Sequence, residues 1–230
     1  MKTINKQQPF IITASNISAI ANHHQYKDWQ IALADTLGRY NQVSGYTSVE
    51  KMIDQTNELP LVELPPKALD YAKVYKASAA LREKGKQAEK SIIEDLRTSD
   101  LGDIDTTDVL IKKTIVIEDW PVLVMGRTDG RTRSGAVVEI KNRKNRFFEP
   151  DYDLDQLATY VVLTNANEGI LVQNHEDALK INRYTQKEMI ARWERLLCDL
   201  KPAVQLFKTI CTDRHCSESQ SILKMMVPCD

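Results

Sequence analysis

The stretch that most restricts what this chain can fold into lies between residues 108 and 143. Three β-rich runs follow one another there: DVLIKKTIVIED (108–119), WPVLVMGRTDG (120–130) and GAVVEIKNR (135–143). Branched and aromatic residues fill them, and Gly126, Asp129-Gly130 and Ser134-Gly135 supply turn chemistry between them. The third run breaks its own apolar pattern. Strand side chains alternate between faces, so Glu139 and Lys141 share one face and Ile140 points to the other. Two unlike charges on an apolar strand are costly to bury unless they meet each other or a metal.

Helical signals surround this cluster. A short extended lead at 10–13 precedes a helix capped by Ser15 or Asn16, with Ile17, Ile20 and Ala21 on its apolar side. Further helices are predicted over 28–40 and near 49–55, before the prolines of NELPLVELPP (57–66) stop regular structure. A long helix is predicted from 67 to 97, with Gly85 marking a break or a close approach. After the strands comes a helix over 152–164, capped by Asp151 or Asp153. EGILVQNH (168–175) reads as a buried strand and DALKINRYT (177–185) as an edge strand. An amphipathic helix then runs from 186 to about 210, which Pro202 should kink or divide. The predicted fold is α/β: a mixed central sheet flanked by helices on both faces.

At 230 residues the chain suits a single domain with one core. Its expected parts are an N-terminal helical, substrate-contacting portion (1–66), a core (67–183), and a C-terminal helix and tail (184–230). No apolar run approaches the ~20 residues of a membrane span, and MKTINKQQPFIITAS lacks the apolar segment of a signal peptide. An intracellular protein without a membrane partner is expected. Cys198, Cys211, Cys216 and Cys229 match no paired zinc-ligand spacing and read as reduced thiols. The net charge of −1 does not announce a nucleic-acid binder. Locally the balance differs: from Arg127 to Arg146 there are seven basic residues, opposed only by Asp129 and Glu139.

A hairpin around 130–134 would bring Asp129 to Glu139, so that two carboxylates and the Lys141 ammonium converge. Carboxylates are hard ligands suited to Mg²⁺ or Mn²⁺, and a divalent ion with a nearby lysine can drive phosphodiester hydrolysis. Taken alone, these three residues fit a surface ion pair at least as well. Two helical pairs add to them. Gly85 and Glu89 lie one turn apart on one helix, and so do Gln156 and Tyr160 on another. The first pair offers close approach and a third carboxylate; the second offers an amide and a hydroxyl.

The ordered set GKQAE (85–89), GRTDG (126–130), EIK (139–141) and QLATY (156–160) resembles the RecB-type and phage lambda exonuclease-like branch of the PD-(D/E)XK nuclease superfamily. ITASNISAIAN (12–22) also resembles the opening segment of lambda exonuclease and YqaJ-type viral recombinase nucleases. The likeness runs from about residue 11 to 173. It implies a restriction-endonuclease-like core and a Mg²⁺-dependent exonuclease acting at duplex DNA ends in recombination, repair or viral DNA processing. An endonuclease on DNA or RNA, or an inactive nucleic-acid-binding relative, are the alternatives. The resemblance implies that Asp129, Glu139, the Ile140 carbonyl and Glu89 hold the metal, and that Lys141 positions or activates the water. Gln156 and Tyr160 orient the site and the DNA, Ser15 binds phosphate, and Arg127, Arg131 or Arg143 touch the DNA backbone. It also implies a homo-oligomer and a single-strand annealing or recombinase partner. The arginine that precedes the TAS segment in lambda exonuclease is missing here. All four cysteines follow the motifs, so no iron–sulfur cluster is expected.

Overall fold

The structure is a computed structural model that describes residues 8–99, 101–107, 109–176 and 178–229. Asp108 and Asp177, which open two of the expected strands, lie outside the described residues. In chain order the elements begin with β1 (Phe10–Thr13), α1 (Ala14–Ile20), α2 (Trp29–Arg39), β2 (Tyr46–Thr47), α3 (Val49–Thr56), α4 (Pro66–Ala77), α5 (Ala79–Leu96) and β3 (Ile104–Asp105). They continue with β4 (Ile111–Ile117), β5 (Trp120–Gly126), β6 (Gly130–Thr132), β7 (Val137–Asn142), α6 (Asp151–Thr164) and β8 (Glu168–His175). Then follow β9 (Ala178–Thr185), α7 (Gln186–Asp199), α8 (Lys201–Thr212), α9 (Ser217–Leu223) and β10 (Val227–Pro228). Among the described residues, no helix is long and apolar enough to cross a membrane.

This mixed α/β chain groups into two compact units. Met1–Lys76, Lys112–Met125 and Leu197–Asp230 form the first, and Ala77–Ile111 with Gly126–Leu196 forms the second. The divisions expected at 66/67 and 183/184 do not coincide with these limits.

In the first unit, β1 lies parallel to β5, with Phe10 opposite Val122 and Ile12 opposite Val124, and β4 flanks β5 on its other side. These four side chains are fully buried; Phe10 stacks on Phe207 at 4.7 Å, and Trp120 meets the same ring edge-on at 6.0 Å. Glu118 and Asp119 join β4 to β5 with φ of 50° and 59°, the left-handed pair that a two-residue hairpin turn demands. The N-cap position of α1 is Thr13 rather than Ser15 or Asn16. Asn16 is drawn away because its amide donates to Thr36 Oγ1 (2.6 Å) and the Ala32 carbonyl (3.2 Å) on α2. The run expected as one helix over 67–97 breaks at Ser78 (φ −85°, ψ 1°), and α5 continues straight through Gly85. As expected, Pro202 divides the last long helix; it sits in the first turn of α8, where its missing N–H costs nothing.

The second unit holds a five-stranded mixed sheet in the order β3-β6-β7-β8-β9, with β7 and β8 parallel and the other pairs antiparallel. On one face Val138, Ile140, Ile170 and Val172 pack with Ile92 and Leu96 of α5. The other face receives α6. A Cβ on Gly169 would lie 2.9 Å from Val161 and 3.0 Å from Leu157, so a glycine there lets helix and strand approach closely. Helices therefore cover both faces, and β9 is an edge strand, both as expected. The first two β-rich runs do not share this sheet, however. The edges of β5 are taken by β1 and β4, so the hairpin partner of β7 is the short β6. The N-cap position of α6 is Pro150, and Asp151 and Asp153 fall inside its first turn.

Candidate active site

The β6–β7 hairpin determines where Asp129 stands. Gly130 faces Val138 and Arg131 faces Val137, so the register carried back one residue sets Asp129 against Glu139. Asp129 Oδ2 accepts the Ile140 backbone N–H at 2.6 Å, which fixes the carboxylate beside β7. Along β7 the alternation is strict. Val138 and Ile140 enter the core cluster under α5, and Glu139 and Lys141 point to the face that α6 covers.

There Lys141 Nζ donates to Glu139 Oε1 (2.6 Å) and to Gln156 Oε1 (3.1 Å) and stands 3.8 Å from Asp153 Oδ1. Gln156 Nε2 reaches the Tyr160 hydroxyl at 3.5 Å, one helical turn further on. The other oxygen of Glu139, Oε2, is buried and has no hydrogen-bond partner among the described residues. Glu89 precedes Ile92 and Leu96 by three and seven residues, which puts it on the sheet-facing side of α5. It is half-buried there, and the charge of Asp129 reaches it.

Electrostatics follow from this crowding. Burial, with help from Asp129 and Asp153 and against Lys141, pushes Glu139 up to about 8. Burial likewise raises Asp129, against the Ile140 N–H and Lys141, and raises Glu89 together with Asp129. Burial disfavours a charged Lys141, but Glu139, Asp153 and Asp129 outweigh it and hold the ammonium above its ordinary range. With these carboxylates around it, Lys141 is favoured as the charged ammonium, a donor. It can hold and orient a ligand by donation. Burial and Glu139 raise Tyr160 as well, so its hydroxyl stays neutral.

Two residues that the motifs did not single out belong to this cluster. Asp153 is 3% exposed and joins Lys141 to Arg143 Nη2 by ion pairs. Its signal was available: it stands three and seven residues before Gln156 and Tyr160, on the same face of α6. Gln173 is fully buried, sits opposite Lys141 in the β7–β8 register, and accepts from Arg143 Nε (3.1 Å) and the Phe148 N–H (2.9 Å). A lone amide inside the apolar run ILVQ is the trace it leaves in sequence. Arg143, expected at the DNA backbone, has its guanidinium occupied by Asp153 and Gln173. Arg127 is exposed just before Asp129, and Arg131 stands opposite Asp105 in the β3–β6 ladder.

Ser15 belongs to the first unit. It lines a cavity of about 420 Å³ with Asn16, Lys27, Asp35, Arg39 and Glu50. The four thiols are unpaired in disulfides.

No family model matches the sequence, and neither does any curated protein. Solved structures do match in fold. LHK-Exo of Laribacter hongkongensis, in complex with dAMP, is 13% identical with a TM-score of 0.54, over 86% of this chain and 88% of that one. A protein named as an exonuclease from Eubacterium rectale is 9% identical with a TM-score of 0.52, over 92% of this chain and 88% of that one. This chain shares its fold with these two proteins, both named as exonucleases. The shared fold spans most of each chain.

Proposed function

We propose that this protein is a divalent-metal-dependent exonuclease that hydrolyses phosphodiester bonds at duplex DNA ends. The observation that carries the reading is an imbalance of charge. Asp129, Glu139, Asp153 and Glu89 bring four carboxylates to a cluster that holds two cations, Lys141 and Arg143. A divalent cation would cancel that excess, and Glu139 Oε2 is a buried oxygen without a hydrogen-bond partner among the described residues.

The donor set fits a hard cation such as Mg²⁺ or Mn²⁺. Among the described residues, no three carboxylate, histidine or cysteine side chains stand close enough to cage a metal ready-made. The ligands we assign are Asp129, Glu139 and the Ile140 carbonyl, and Glu89 would have to move in from α5 to join them. Such a cation supplies positive charge to the phosphoryl oxygens and makes an attacking water more acidic. The side chains supply the rest. Lys141, fixed by Glu139, Gln156 and Asp153, donates to the incoming water and holds it in line with the phosphorus. Gln156 and Tyr160 set the lysine's position. Ser15 donates to a phosphate in our reading, although Asp35 and Glu50 share its cavity with Lys27 and Arg39.

The fold is one used by proteins named as exonucleases, one of them bound to a deoxynucleoside monophosphate, and this supports ends over interior bonds. The test is an assay with Mg²⁺ and then EDTA on end-labelled linear duplex, closed circular DNA and single-stranded RNA, with Lys141→Ala as control. Metal-dependent loss of the linear duplex alone is expected. Cutting of the circle or of RNA would replace the exonuclease by an endonuclease. Cleavage that Lys141→Ala leaves intact would remove the site altogether.

A further inference from the structure

We propose that the loop leaving β7, from Lys144 to Arg146, holds the backbone phosphates of the strand being cut. This rests on the nuclease reading and extends it to a substrate-holding surface that the motif pattern does not contain. Between Lys141 and Glu149 the chain carries Arg143, Lys144 and Arg146 and no acid. The structure separates the roles of these cations. Arg143 is turned inward to Asp153 and Gln173. Lys144 and Arg146 are exposed, and among the described residues neither has an ion-pair partner.

The loop is built to hold that tip in one place. The Arg143 N–H donates to the Asn174 carbonyl at 2.7 Å, and the Phe148 N–H to the buried Gln173 Oε1 at 2.9 Å. The Phe147 ring meets His175 edge-on at 5.8 Å, and the Arg146 guanidinium lies 6.0 Å from the Phe148 ring. Both ends of the loop are thus tied to the C-terminal end of β8. A cation held in advance loses less freedom on binding than one on a slack loop.

Reach also fits. Lys144 and Arg146 follow Lys141 by three and five residues, at most about 11 Å and 18 Å of extended chain. At ~3.4 Å of rise per nucleotide, both fall within about five nucleotides of a phosphate at Lys141. Contacts of this kind position a strand without reading its sequence.

The experiment compares the wild type with Lys144→Ala/Arg146→Ala and with the charge-preserving Lys144→Arg/Arg146→Lys. Binding to a short labelled duplex is followed by anisotropy in EDTA across a salt series, and cleavage is followed with Mg²⁺. Both variants should melt with the wild type, because the replaced side chains are exposed. Loss of two phosphate contacts should lower the slope of log K against log salt by about 2, weaken binding about tenfold or more, and raise KM more than it lowers kcat. The effect should be the same on duplexes of different sequence, and the charge-preserving variant should restore it. A wild type that cleaves, with salt slope and KM unchanged in the alanine variant, would overturn the loop and leave the nuclease standing. A fall in kcat at unchanged KM would overturn it too, since the loop would then act through Lys141. A wild type that neither binds nor cleaves DNA removes both readings.

Discussion

Each unit buries a cluster of charges, and the two are balanced differently. In the first unit Glu50 receives Lys27 at 2.8 Å on one oxygen and Arg39 at 3.0 Å on the other, and Tyr71 donates to it as well. Asp35 completes the group at 3.8 Å from Lys27 and 3.6 Å from Arg39. Two buried carboxylates face two cations, and the third acid in contact, Asp54 at 3.5 Å from Arg39, is exposed to solvent. Burial works against ionised Glu50, but Lys27 and Arg39 bring it below its ordinary range; Asp35 absorbs the strain, raised by burial and by Glu50 to about 6. In the second unit the carboxylates outnumber the cations by two, and Glu139 rises to about 8. A neutral cluster ties helices together. A cluster with surplus charge is unfinished without a ligand, and this is the physical difference between a structural network and a candidate site.

The contrast can be broken most sharply at Lys141. Lys141→Ala should lower cleavage by about 10³-fold while leaving Mg²⁺ binding measurable by calorimetry. Retained cleavage would make the second cluster another structural network. Next in size, Glu50→Ala strips partners from Lys27, Arg39 and Tyr71 and should cost about 3 kcal/mol in denaturant unfolding; a loss below ~1 kcal/mol would show that the first cluster binds nothing together. Glu139→Gln should do the reverse. Its folded-state value lies above the unfolded 4.5, so the wild type loses stability as pH rises from there through about 8. The metal-free Gln variant escapes that loss and should be the more stable at pH 8, by on the order of 2 kcal/mol, although inactive. Thermal melts across pH decide it.

Smaller again is the pH dependence of the metal. Glu139 must ionise to bind a cation, so apparent Mg²⁺ affinity should rise about tenfold per pH unit and flatten above 8. Titrations in two buffers of different ionisation heat should reveal the released proton, and a pH-independent affinity would exclude Glu139 as a ligand. The smallest effect belongs to Gly85, where an added Cβ would meet nothing within 4 Å. Gly85→Ala should stabilise α5 by up to ~1 kcal/mol. A rise in KM alongside would show that substrate uses the open space.

Much of this was legible in the sequence because periodicity and punctuation are local. The helix expected over 28–40 is α2, capped by Asp28, the strand at 168–175 is buried, and Pro202 does separate α7 from α8. The alternation of Glu139, Ile140 and Lys141 was enough to sort charge from core. What escaped depends on partners far along the chain. Thr13 and Pro150 take the cap positions because Asn16 and Asp153 are engaged across helices and strands. That β5 belongs with β1, more than a hundred residues earlier, is invisible to any short window. Gln173 matters only through a parallel register, and Arg143 looked like a free cation until its buried acceptors were in view.

The hairpin of β4 and β5 has a consequence for how the molecule can be made. It belongs to the first unit but is strung between two pieces of the second, and the first unit also needs residues after 196. No single cut releases either unit whole. On a ribosome, all of the second unit's chain is synthesised before α8, α9 and β10. The strands of the five-stranded sheet are therefore all made before the first unit is complete.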